Sequence, residues 1–360
     1  MSMQVSYKKQ IVFFTLFLIV ILGVCEITAR MYEIFNPNCS FLDKDVFSKT
    51  DYFLTRVICL DHYSVETEKI GIVLNKPNQH YETININSHG FRGNEFTIDK
   101  PQNTFRIFMV GGSTIYGAGA TSDDKTIPGY LQKKFDEINL KVEVINAGIS
   151  GAESNREMYL IKNFLHKYKP DLIVVYDGWN DSEGDIILEE FEYNVNDEQD
   201  INENIFKFKN FPYYRTPFVI YDILFGEKRD FYKVINEDEI SVRTELWKNR
   251  MKNICEINYK NQVKTALFIQ PILGTGNKTY SSDELSMLPK SEEYKTPLKV
   301  LDSLANQMPY LSTYCEKTFD LRNIFDGINE PVFYDLGHMS DFGNKIVAEK
   351  IFEEIIYLVE

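Results

Sequence analysis

The hydrophobic pattern divides the chain into stretches of different character. From Ile11 to Cys25 fifteen residues carry no charge, and Ile27 to Ala29 extend the run past Glu26 before Arg30 closes it. Counted to Ala29 that is 19 residues, about 28 Å of helix against a bilayer core of about 30 Å. From Tyr32 to Pro101 short aromatic pieces alternate with Asn and Asp, and no helical period is sustained. A short strand around Lys69–Leu74 and a turn over Asn87–Arg92, bounded by Gly90, are its main signals. From Arg106 the pattern becomes a repeating cycle. Apolar runs at Arg106–Val110, Val142–Asn146, Asp171–Tyr176 and Thr265–Gln270 predict buried strands. Helical spacing over Ile127–Ile138, Asn155–Tyr168, Lys299–Met308 and Asp341–Val359 predicts helices, the last capped by Ser340-Asp341. Thr318–Leu321 predicts a short fifth strand. Strands alternating with such helices imply βαβ units, hence an α/β domain with a mainly parallel sheet covered on both faces.

The regular cycle is interrupted between the third and fourth strands. The stretch from about Glu183 to Val242 is acidic and aromatic, with Glu189–Tyr193, Ile205–Tyr214 and Phe218–Phe225 as its richest pieces. It reads as a surface insertion with its own apolar patch, or as a lid, since it enters beyond the third strand's carboxyl end.

The N-terminal run admits three structural readings. A cleaved signal peptide prefers small residues at its cleavage site, whereas Ile27-Thr28-Ala29 puts Ile at such a position. A buried core helix needs a place to hide an all-round apolar surface. An uncleaved single span needs neither, and is the expectation. Lys8 and Lys9 precede the run and one Arg30 follows it, which favours a cytoplasmic N-terminus and an exported body.

Composition narrows the partners. The 360 residues are 44% hydrophobic and 26% charged, as in an ordinary folded protein. The net charge of −14 disfavours nucleic acid, and no local basic patch offsets it. Of five cysteines Cys25 lies in the apolar run. Cys39, Cys59, Cys255 and Cys315 remain, as two disulfides, with nearest pairing favouring Cys39 to Cys59 and Cys255 to Cys315, or as four buried thiols. Sequons at Asn38 and Asn277 are compatible with export. His62, His80, His89 and His166 show no ligand spacing, so neither metal nor cofactor is expected.

Ligands of open α/β sheets sit beyond the carboxyl ends of the strands, so the residues there carry the chemistry. The first strand ends in Gly111-Gly112-Ser113-Thr114, which places a serine hydroxyl at a tight turn. The second ends in Asn146-Ala-Gly-Ile-Ser-Gly151, and the third in Gly178-Trp179-Asn180-Asp181. Before the last helix stands Asp335-Leu336-Gly337-His338, whose spacing lets the carboxylate hold the imidazole while its other nitrogen faces a serine. Alone, each block is also an ordinary turn or cap.

Together, in this order, the four blocks resemble the SGNH, or GDSL-type, hydrolase family over about Arg106–Glu360, with Gly112 in place of the usual Asp. The resemblance implies a flavodoxin-like three-layer α/β/α sandwich on a five-stranded sheet. It implies Ser113 as nucleophile, His338 as base, Asp335 as its partner, and an oxyanion hole from Ser113 N–H, Gly151 N–H and the Asn180 amide. The expected organisation is an anchor over 1–30, a membrane-proximal extension over 31–103, and a catalytic domain over 104–360 with its insertion at about 183–242. The expected activity is hydrolysis of an O-acyl ester, O-acetyl included, of a glycan, lipid or small molecule. An O-acyltransferase on the same fold, or a non-catalytic binding protein, are the alternatives.

Overall fold

The computed structural model describes residues 6–35, 44–183, 215–225, 234–291 and 295–359. Five strands form the central sheet: β1 Phe105–Gly111, β2 Val142–Gly148, β3 Leu172–Asp177, β4 Lys264–Ile269 and β5 Lys317–Asp320. Their order is β2-β1-β3-β4-β5, all parallel. This is the flavodoxin-like arrangement, whose strand order reverses between β1 and β3. The register aligns the carboxyl ends: Gly111 lies opposite both Gly148 and Tyr176, and Asp177 opposite Ile269.

The inner strands are apolar on both faces because helices cover both. On one side Phe108, Val110, Ile173 and Val175 pack with Trp247, Met251, Leu301 and Leu304. On the other Ile107, Met109, Leu172 and Val174 pack with Leu131, Phe135, Val347 and Ile351. The helices Ile127–Glu137 and Asp341–Val359 stand where the periodicity predicts them. The last helix differs in detail: Asp341 is its first residue, and its carboxylate accepts from Thr121 N at 3.0 Å and Thr121 Oγ1. The helix expected over Asn155–Tyr168 is three pieces: an α-helix Ser154–Leu160, a π-helical turn Ile161–Leu165 and a 3₁₀ turn His166–Tyr168.

Two long helices in the compact unit of the sheet lie outside the pattern-based expectation. Glu237–Lys260 supplies the crossover into β4 and begins inside the stretch assigned to the insertion. Its buried stripe contains Arg243, Thr244 and Asn258 beside Ile240, Trp247, Met251 and Ile254, so hydrophobicity alone does not outline it. Tyr52–Ser64 is the second, N-capped by Asp51, whose carboxylate accepts from Phe53 N and Leu54 N.

Residues 44–103 join the same compact unit as the sheet. The strand expected near Lys69–Leu74 is an antiparallel hairpin, Thr67–Ile70 with Ile72–Asn75. Arg92, 3% exposed, bridges to Asn146 of β2 and ion-pairs with Asp123 at 2.7 Å. Cys255 and Cys315 form a disulfide, and Cys59 is disulfide-bonded, while Cys39 lies outside the described residues.

The second compact unit comprises residues 1–39 and 194–231. It contains a helix over Tyr7–Phe35 and a ten-residue helix over Thr216–Phe225, which pack together. The apolar stretch Tyr7–Tyr32 is long enough to cross a membrane. The Glu189–Tyr193 and Ile205–Tyr214 pieces of the insertion lie outside the described residues.

Candidate active site

Everything in the site grows from chain reversals at one sheet edge. β1 leads through Gly112 into a one-turn helix, Ser113–Tyr116, which ends at Gly117 in the left-handed conformation. Ser113 is therefore held at a helix start, 8% exposed. The far end of this turn is secured from the extension. Arg92 Nη1 donates to Gly117 O at 2.8 Å and Tyr116 O at 3.2 Å, a cation on the negative end of the turn.

His338 arrives from a loop 225 residues away, and its Nε2 lies 2.6 Å from Ser113 Oγ. Its Nδ1 is 2.8 Å from Asp335 Oδ2 and 3.0 Å from Oδ1. The tautomer satisfying both contacts has Nδ1–H donating to the carboxylate and Nε2 accepting from the serine. Asp335 Oδ1 also accepts from Gly337 N at 2.9 Å and His338 N at 2.7 Å, so the short loop holds its own carboxylate. Burial pushes the Asp335 carboxyl up, but the His338 charge and these hydrogen bonds bring it below its ordinary value. Burial likewise opposes a charged His338, and the charge and hydrogen bond of Asp335 outweigh it, leaving the imidazole raised above 6.5.

Asn180 and Asp181 sit in the turn that begins the short helix Trp179–Glu183 after β3. Asn180 Nδ2 donates to Ala152 O at 2.6 Å. That amide nitrogen bears two hydrogens, so one remains for a ligand. Asp181 accepts from Ser154 N at 2.7 Å and from the Ser154 hydroxyl, tying the turn after β3 to the segment after β2. Burial, ahead of every other influence, lifts the carboxyls of Asp181 and of the neighbouring Asp177, which accepts from Trp247 Nε1 at 2.8 Å. Gly151, at φ 72°, is exposed where a β-carbon would meet open space.

Four more side chains surround the site, and the sequence blocks assigned a role to none of them. Tyr334 stacks on the His338 ring at 5.5 Å and 8°. Trp179 lies against Gly337, where a β-carbon would approach its ring to 3.1 Å. Glu183 stands beside the pair, its carboxyl raised to about 7 by burial, then by the Asp335 charge, against the opposite pull of His338. Buried Glu284 holds the loop from below: its Oε1 accepts from Val332 N at 2.9 Å and Phe333 N at 3.1 Å. Of these, Trp179 lies inside a quoted block and Tyr334 adjoins one, but contact across the fold leaves no local signal for what either touches, or for Glu183 and Glu284.

Among the described residues no group of three or more His, Cys, Asp and Glu is placed to hold a metal ion. His89 and His166 make their contacts elsewhere, at Phe96 O and Asn258 Oδ1.

Residues 109–223 match the model of the GDSL-like lipase/acylhydrolase family. A search of curated proteins finds no match. Among solved structures, TesA aligns at 13% identity over 70% of this chain and 99% of its own, with a TM-score of 0.42. The acetyl xylan esterase AlAXEase aligns at 15% identity over 69% and 98%, with a TM-score of 0.40. A variant of an acetyl xylan esterase from Geobacillus stearothermophilus aligns at 14% identity over 70% and 94%, with a TM-score of 0.39. Likeness at that level adds nothing to the residues themselves. Ser113, Gly151 and Asn180 lie inside the matched stretch, about a third of the chain, and it is over that stretch that the chain is similar to the GDSL-like lipase/acylhydrolase family.

Proposed function

We propose that this chain is a membrane-anchored serine esterase that removes an O-acyl group, O-acetyl included, from a glycan, lipid or small molecule. The observation that carries the reading is the Ser113 Oγ to His338 Nε2 distance of 2.6 Å, with Asp335 on the opposite imidazole nitrogen. Ser113 Oγ forms a bond to the ester carbonyl carbon as its proton passes to Nε2, and the imidazolium is stabilised by Asp335. The oxyanion is received by the N–H groups of Ser113 and Gly151 and by the second amide hydrogen of Asn180. Collapse breaks the bond to the alcohol oxygen, which leaves with the proton from Nε2. Water then repeats the sequence on the acyl-enzyme and restores Ser113. The anchor is the Tyr7–Phe35 helix, and the Cys255–Cys315 disulfide favours an exported body.

Ser113→Ala and His338→Ala should each lower hydrolysis of a short-chain chromogenic ester on the order of 10⁴-fold or more. Asn180→Ala should lower kcat about 10²- to 10³-fold. Labelling with a fluorophosphonate checks the nucleophile directly, and wild-type labelling of the Ser113→Ala chain would sink the assignment.

A further inference from the structure

Glu26 interrupts the apolar N-terminal helix, a costly position for a carboxylate that faces hydrocarbon. In the structure it is fully engaged. Oε1 accepts from Arg30 Nε one turn on, at 2.8 Å. Oε2 accepts from Arg215 N at 2.6 Å, Thr216 N at 3.1 Å and Thr216 Oγ1 at 3.2 Å. Those two N–H groups open the helix Thr216–Phe225, where backbone donors have no partner within the helix and the dipole is positive. The carboxylate is therefore an N-cap supplied from 190 residues away.

The capped helix reads Thr-Pro-Phe-Val-Ile-Tyr-Asp-Ile-Leu-Phe, with Asp222 its one charge. Val219 is buried, whereas Ile220, Ile223 and Leu224 are 50%, 57% and 65% exposed. Positions i, i+3 and i+4 form one stripe. The helix beside it has the same character, with Phe17, Val20, Val24 and Ile27 exposed. The cap sets the depth: Glu26 stands six positions before Tyr32, the end of the apolar stretch, or about 9 Å along the helix axis. The start of the capped helix is thus held within the apolar stretch, beside Glu26.

We propose that the Ile220–Ile223–Leu224 stripe is a second membrane-contacting surface, covered by lipid hydrocarbon beside the N-terminal span and held there by the Glu26 cap. The inference rests on the reading of Tyr7–Phe35 as an uncleaved anchor. It gives the helix Thr216–Phe225 the role of a bilayer contact.

The test uses the full-length chain in a Cys25→Ser background, labelled with an environment-sensitive nitrobenzoxadiazole dye at Leu224→Cys and reconstituted in phosphatidylcholine vesicles. A second sample carries the dye at Tyr259→Cys, on the exposed side of the crossover helix. At 224 the emission should shift to the blue, most of it should be lost to doxyl-labelled lipid, and aqueous iodide should have little effect. At 259 the order of the two quenchers should reverse. Glu26→Leu should return the 224 probe to iodide access. Iodide quenching at 224 in the unaltered helix, or shielding from both quenchers, overturns the proposal, the latter assigning the stripe to protein. Unchanged lipid quenching in Glu26→Leu overturns the cap. Vesicle flotation separates the underlying reading: a chain that fails to float refutes the anchor itself, whereas a floating chain with a wet 224 probe refutes only the second contact.

Discussion

A β-carbon at Gly112 would come 2.3 Å from Asn180 Nδ2. The backbone there is extended, at φ −77°, so what the position needs is close approach rather than glycine's freedom. The resemblance puts an Asp at this place, and here its absence lets the Asn180 amide lie over the chain beside the proposed nucleophile. Because the colliding atom ends a side chain, Gly112→Ala should cost little stability and displace the amide. Its kcat should fall toward the loss of one oxyanion donor, about 10²- to 10³-fold, with the thermal midpoint nearly unchanged. Unaltered turnover in steady-state kinetics would show that the amide shifts without losing its place, leaving Asn180→Ala as the test of its role.

In the proposed mechanism His338 acts as a base only when neutral; burial lowers its pKa but the Asp335 charge and hydrogen bond raise it more, so the acidic limb of kcat/KM should lie above that of an ordinary imidazole. Glu183 contributes to that elevation, since its negative charge favours the imidazolium. Glu183→Gln removes the charge, lowers the His338 pKa and should move the limb to more acidic pH, as read from a pH–rate profile. Because the Glu183 carboxyl is raised to about 7 and is partly neutral across the limb, the shift should be small, and a limb that moves to alkaline pH contradicts the placement of Glu183 beside the imidazole.

At the scale of elements, the loop that carries Asp335 and His338 depends on a buried ion pair. Lys278 Nζ lies 2.9 Å from Glu284 Oε2, with side chains 1% and 0% exposed. The same carboxylate accepts from Ser281 N in a capping box, and from Val332 N and Phe333 N. Glu284→Ala would leave a buried ammonium without its counter-ion and three backbone donors without their acceptor, at a cost of about 3–5 kcal/mol. Urea unfolding should report that loss, and Glu284→Gln, which keeps an acceptor oxygen, should lose less. The strands were legible because both faces are buried, and continuous runs such as Ile107–Val110 follow from that. The crossover helix was not, because Arg243 and Asn258 occupy its inner stripe and are satisfied there by Asp181 O and Thr265 Oγ1.

At the scale of the whole molecule, the Cys255–Cys315 disulfide joins the crossover helix to the segment before β5 across 60 residues. Closing such a loop stabilises by about 4 kcal/mol in the chain-entropy account. Replacing both cysteines by serine should lower the unfolding free energy by roughly 2–4 kcal/mol. Calorimetry of the double variant checks this, and an unchanged midpoint would mean that the tertiary contacts already hold these elements in place.

The parallel sheet, the four strand-end blocks and the apolar N-terminal run were written in local pattern. Each depends on spacing within a few residues: burial on both faces, a turn after a strand, or an uncharged helix length. Contacts between distant segments have no such period. Ser113 meets His338 across 225 residues, and Glu26 caps a helix 190 residues on. Arg92 secures the Ser113 turn from a stretch whose sequence suggested only an extension. These pairings depend on how helices and loops pack around the sheet, so they became visible only in the folded chain.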